Sequence, residues 1–113
     1  MLKIIIDDFY EIGEYSLIKV IDGYLTIEVV FDLVKYSDFQ DYCTDKVLNK
    51  QKMILGFQGS IFCCEIVGCS FALGVISYDE DERVESINTT AIGILEFVFD
   101  EDFKHRQMIK LLK

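Results

Sequence analysis

The chain has 113 residues, 20 acidic against 11 basic side chains, a formal net charge of −9, one His, four Cys and neither Pro nor Trp. That length predicts one domain over residues 1–113, and 51% apolar with 13% aromatic residues is the composition of a packed core rather than of a disordered segment. The acidity argues against direct nucleic-acid binding, whose affinity comes from Lys and Arg neutralising phosphates. With one His, no Ser/His/Asp set and no glycine-rich phosphate loop, the common enzyme signatures are missing as well.

The chain begins Met-Leu-Lys-Ile-Ile-Ile-Asp-Asp, an apolar run far too short for a signal-peptide core, which predicts a cytoplasmic protein. Residues 3–9 are short and rich in Ile and predict a first strand, with Gly13 as its breaker. Residues 15–21 and 24–34 flank Asp22-Gly23, the dipeptide that best supplies the positive φ angles of a two-residue hairpin turn. In the second arm Leu25, Ile27, Val29, Phe31 and Leu33 alternate with Thr26, Glu28, Val30 and Asp32, so the apolar set faces a core and the other set faces out.

The pattern changes at Ser37, which is placed to cap a helix with Gln40 reaching back in a capping box. Phe39, Tyr42, Cys43 and Val47 recur at helical spacing and predict a helix over about 38–48. Strands follow at 53–57, 60–67 and 69–78, divided by Gln58-Gly59 and by Gly68, apolar on both faces and expected mid-sheet under helices or a second sheet. The apolar stretch from Ile61 to Ile76 is interrupted by Glu65, Gly68 and Gly74 and falls short of the ~20 residues a spanning helix needs. No membrane span is expected.

Asp79, Glu80, Asp81 and Glu82 form a solvated loop, after which residues 84–90 and 91–99 read as another strand pair. Asp100, Glu101 and Asp102 open a C-terminal helix over about 102–112, with Lys104, Arg106, Lys110 and Lys113 toward its positive-charge-favouring end. Hairpin-linked strands with two short segregated helices predict an α+β domain on a mainly antiparallel sheet; the alternative is a β-sandwich with residues 37–49 as a long loop.

With no export signal, Cys43, Cys63, Cys64 and Cys69 are expected reduced, as small buried hydrophobes. Cys63 and Cys64 are neighbours and point to opposite strand faces, and no Cys-x-x-Cys pair is present, so neither zinc nor any other cofactor is expected. The carboxylates at 79–82 do not begin an EF-hand: its glycine position is Val84 and its closing glutamate position is Thr90. Glu65 and Glu96, each set within an apolar strand segment, are the candidates for a buried catalytic or ligand-binding acid beneath the sheet. His105, between Lys104 and Arg106, reads as a solvated helix residue.

Charge is distributed unevenly. Residues 78–102 hold nine acids against Arg83 alone. Such a block is either a solvated turn or a surface that meets a basic partner. On the second reading the partner site comprises Asp79, Glu80, Asp81, Glu82 and Glu85, with Tyr78 for apolar contact and Asp100, Glu101 and Asp102 alongside. In size and charge the chain resembles the small acidic cytoplasmic immunity proteins that bacteria encode beside secreted toxins, many of them basic nucleases. The resemblance implies a non-enzymatic inhibitor that blocks a toxin domain's active site with carboxylates in place of phosphates. Two other readings are a nucleic-acid-mimicking phage inhibitor of a defence complex and a small enzyme or ligand-binding domain using Glu65 or Glu96.

Overall fold

A computed structural model describes residues 3–21, 23–57, 59–74 and 76–99, with the backbone alone at 76, 77 and 85–87. Nine strands and one helix follow in chain order: β1 (Ile4–Ile6), β2 (Tyr10–Ile12), β3 (Glu14–Ile21), β4 (Tyr24–Asp32), α1 (Phe39–Leu48), β5 (Lys52–Phe57), β6 (Ser60–Ala72), β7 (Ile76–Tyr78), β8 (Val84–Ile87) and β9 (Thr90–Phe99). Seven of the strands form one antiparallel sheet in the order β2-β1-β5-β6-β9-β4-β3, and β7 pairs with β8 alone.

The two ends of that order are neighbours in sequence. β2 pairs with β1 and β3 pairs with β4, yet only Gly13 separates β2 from β3. One bent run thus supplies both edges, and the sheet wraps around its own inner face. Tyr15 of β3 meets Phe57 of β5 edge-on at 5.4 Å between ring centroids, and the Tyr36 hydroxyl accepts from the Glu11 amide at 3.1 Å and donates to the Glu11 carbonyl at 3.0 Å. These contacts hold the wrapped edges in place.

The inner face is the core. Leu25, Ile27, Val29 and Phe31 are buried along β4, as the alternation predicts, and Leu33 packs against them half-buried. Phe62, Cys64 and Ile66 from β6, with Ala91, Leu95, Phe97 and Phe99 from β9, continue the same cluster. Each large apolar side chain moved out of water stabilises the fold by about 1.5–3 kcal/mol. No polar or charged residue among those described is buried.

The β3–β4 hairpin forms with Ile21 opposite Tyr24, and Gly23 has φ +77°, the left-handed conformation a two-residue loop requires. Asp22 itself lies outside the described residues. Gly74 has a different necessity: a Cβ there would sit 1.7 Å from the Asn88 carbonyl oxygen. Only a residue without a side chain lets the strand leaving β6 cross the strand entering β9, so the β7–β8 ribbon emerges through a single close crossing.

Helix α1 lies against β6. Pairing of β5 with β6 ends at Lys52 and Glu65, while β6 runs on to Ala72, and the helix takes the place β5 has vacated. Phe39 and Cys43, one turn apart, are its buried residues.

Several expectations are corrected. The stretch 3–9 is not one strand: Asp7 and Asp8 have φ +49° and +61° and turn the chain from β1 into β2, Asp being among the few non-glycine residues that enter this region readily. Ser37 and Gln40 form no capping box; the helix starts after Asp38, which makes no side-chain cap hydrogen bond. Residues 60–67 and 69–72 are a single strand, because Gly68 marks a register shift between Ile66 and Gly68 rather than a break. Residues 84–87 and 91–99 do not pair with each other: β8 joins β7, and β9 runs between β6 and β4. The described residues contain one helix on a seven-stranded curved sheet, with the two-stranded β7–β8 ribbon beside it, rather than a sandwich; the helix predicted over 102–112 lies outside them. Nor are β5 and β6 covered on both faces, since Ile54 and Ile61 project outward into solvent.

Candidate functional site

The sequence between Tyr78 and Val84 is too polar to be buried, and the fold places it at the tip of the β7–β8 ribbon. Tyr78 and Val84 form the last pair of the ribbon and are 59% and 55% exposed, giving the tip an apolar shoulder. Asp79 organises the loop. Its amide donates to the Arg83 carbonyl at 2.8 Å, and its carbonyl accepts from the Glu82 amide at 3.1 Å. One carboxylate oxygen, Oδ1, accepts from the amides of Asp81 at 3.0 Å and Arg83 at 2.8 Å. Asp79 is thereby committed to holding the turn, which the sequence did not reveal. Glu80, Asp81 and Glu82 are exposed, and among the described residues no cation forms an ion pair with any of them.

The structure thus brings Tyr78, Asp79, Glu80, Asp81 and Glu82 onto one tip. Glu85 lies on β8, where the backbone alone is described, and Asp100, Glu101, Asp102 and His105 lie outside the described residues. Glu65 and Glu96 do not sit beneath the sheet. Glu65 is half-buried and Glu96 exposed, both on the outer face: Glu65 stands opposite Lys52 and Val98, and Glu96 opposite Thr26 and Gly68.

A third group of polar residues, not singled out by sequence, surrounds Asp7 in the β1–β2 turn. Its Oδ1 accepts from the Ile54 amide at 2.7 Å and its own amide donates to the Ile54 carbonyl at 2.9 Å. Its Oδ2 accepts from the Tyr42 hydroxyl and faces Lys46 Nζ at 3.6 Å. Both Tyr42 and Lys46 lie on α1, so one carboxylate ties the turn, the helix and β5 together. With both oxygens engaged, the arrangement locks structure.

Around this lock three groups are held in their proton-bound forms. Burial raises the Tyr10 and Tyr42 hydroxyls well above their ordinary values, with neighbouring Asp38 and Asp7, respectively, adding to the effect. Burial, with Cys69 and Asp7 nearby, pushes the Cys43 thiol up to about 12. All three values are higher in the folded than in the unfolded chain, so their stabilisation is complete below the unfolded values, 9 for Cys and 10 for Tyr. It is lost as pH rises above them, at up to about 1.4 kcal/mol per pH unit per group. Urea midpoints are expected to fall from about pH 9 to about pH 11, less steeply in Tyr10→Phe and Tyr42→Phe. A slope identical in both variants would assign the loss elsewhere.

Cys43 and Cys64 are buried and Cys63 and Cys69 half-buried, and no disulfide joins any two of the four. Labelling of a thiol requires that the reagent reach it. A thiol reagent is therefore expected to modify Cys63 and Cys69 in the native protein, and all four cysteines only after denaturation without reductant. Fast native labelling of Cys43 would contradict its burial. Among the described residues no group of three or more His, Cys, Asp or Glu side chains is arranged to hold a metal ion, and no helix is long and apolar enough to cross a membrane.

No family model matches this chain, and no curated protein or solved structure matches it either.

Proposed function

We propose that this is a non-enzymatic binding protein of the cytoplasm that engages a basic protein partner through the tip of the β7–β8 ribbon, in the manner of a bacterial immunity protein neutralising a nuclease-type toxin domain. One observation carries the reading: Glu80, Asp81 and Glu82 stand exposed, with no ion-pair partner among the described residues, on a turn whose shape is fixed by Asp79. A loop ordered by its own hydrogen bonds presents charge without the entropy cost of ordering on association. The exposed carboxylates stand in for phosphates in a cationic groove, and Tyr78 and Val84 provide the apolar contact that limits dissociation.

The test is association kinetics with a partner captured from the source cells. Reversal of Glu80, Asp81 and Glu82 to Lys, with Asp79 retained to hold the turn, is expected to slow association by at least tenfold at low salt. It should also flatten the salt dependence, which in the native protein follows the Debye length from about 10 Å at 0.1 M to about 3 Å at 1 M. Unchanged association and salt dependence would make the tip a solvated turn. Exposed loop substitutions of this kind alter stability by about 0.5 kcal/mol or less each, so lost binding is not lost folding.

A further inference from the structure

The outer face of the sheet carries a groove of about 270 Å³ lined by Lys19, Tyr24, Thr26, Val67 and Glu96, among others. It is built by the register of four strands: Lys19 stands opposite Thr26, Thr26 opposite Glu96, and Glu96 opposite Gly68. Both register shifts of the large sheet flank this row, one between Leu17 and Lys19 and the other between Ile66 and Gly68. Such irregularities re-aim side chains and gather beside functional sites. Gly68 is the floor. A Cβ there would come within 2.9 Å of Glu96 Oε2, so the missing side chain lets the carboxylate lie across β6. On its other side Glu96 also borders a second depression, formed with Ser70 and Ile94.

Among the described residues no hydrogen-bond donor or cation engages the Glu96 carboxylate. Lys19 is two strands away along the row, about 10 Å at the usual strand spacing. We infer that this groove seats a single guanidinium group, carried by an arginine side chain of the basic partner. The chemistry is complementary at each part. Glu96 accepts two parallel N–H bonds from the planar fork, the exposed Tyr24 ring offers a face for stacking, and Val67 and Ile21 cover the methylene stem. A net charge of −9 draws a cation to Glu96 and keeps anions from Lys19, while Lys19 confines the cation to the Gly68 end.

The identity of the occupant rests on the basic-partner reading; the guanidinium seat does not, and one titration separates the two. The full chain, labelled with ¹⁵N, is titrated with N-acetyl-arginine amide, a cation without a carboxylate, and with its uncharged analogue N-acetyl-citrulline amide. The arginine probe is expected to shift amide signals of residues 24, 26, 67, 68 and 96 saturably, and the citrulline probe to leave them in place. Glu96→Gln should weaken binding by roughly five- to tenfold, the size of one charge-assisted pair, and Lys19→Met should tighten it by roughly twofold through relief of repulsion. The triple reversal at the ribbon tip should leave the same residues shifting, with affinity lowered only by the change in overall charge. Equal response to both probes, shifts confined to residues 79–83, or full affinity in Glu96→Gln would each overturn the seat. If the shifts appear while tip reversal leaves partner association untouched, the tip reading fails and the seat stands.

Discussion

Replacing Phe39 with Ala is expected to cost about 3–5 kcal/mol of folding stability, the usual range for a fully buried aromatic truncated to Ala. Phe39 is 0% exposed and its ring lies 4.7 Å from Tyr10, 5.0 Å from Phe31 and 6.0 Å from Phe71 between centroids. Three strands therefore meet at this one residue. The helix has little else: of its ten residues only Phe39 and Cys43 are buried, and ten residues do not make a stable helix in water without tertiary packing. Losing the ring leaves a cavity bounded by three aromatics that cannot collapse onto one another without moving β2, β4 or β6. Leu48, at the other end of the helix, is 73% exposed, and Leu48→Ala is expected to change stability by about 0.5 kcal/mol or less. Denaturant midpoints at constant m-value read both effects. Equal small losses would mean that α1 is docked elsewhere than on the aromatic cluster.

What the sequence disclosed follows the range of the interaction involved. Gly23 and the alternation through Leu25, Ile27, Val29 and Phe31 act within a few residues, and the β3–β4 hairpin was legible from them. So was the helix, from the spacing of Phe39 and Cys43. The wrapped sheet was not, because β9 pairs with β4 and β6 across large sequence separations and no local pattern specifies such partners. Residues 3–9 misled for a different reason: an Ile-rich run favours a strand, while the two consecutive aspartates that fold it back do so by occupying the left-handed region, a signal usually sought in Asn-Gly or Asp-Gly. At the ribbon tip the charge could be read from composition, but the commitment of Asp79 to the Asp81 and Arg83 amides needed the turn itself. The groove at Glu96 depended on register: Gly68 becomes its floor only because a shift in β6 sets it opposite Glu96.

Asp7→Ala should be the most damaging polar substitution in the described structure, at about 3 kcal/mol, since it removes charge-assisted hydrogen bonds worth about 1.5–3 kcal/mol and leaves their donors behind. The Asp7 side chain is 14% exposed and the Lys46 side chain 19% exposed, so water replaces the lost partner poorly. Ala also tolerates the φ of +49° at this position less well than Asp does. Asp7→Asn separates the contributions. Asn accepts the left-handed conformation, and its amide oxygen can still receive the Ile54 amide that now bonds to Oδ1 at 2.7 Å; what it loses is the charge facing Lys46 and the acceptor for the Tyr42 hydroxyl, since an NH2 group then stands where Oδ2 was. A loss of about 1–2 kcal/mol is expected for Asn. Because Tyr42 donates to Asp7, Tyr42→Phe and Asp7→Asn should be strongly non-additive in a double-mutant cycle. If the two losses simply add, the carboxylate is not what joins α1 to the β1–β2 turn, and the helix is held by Phe39 and Cys43 alone.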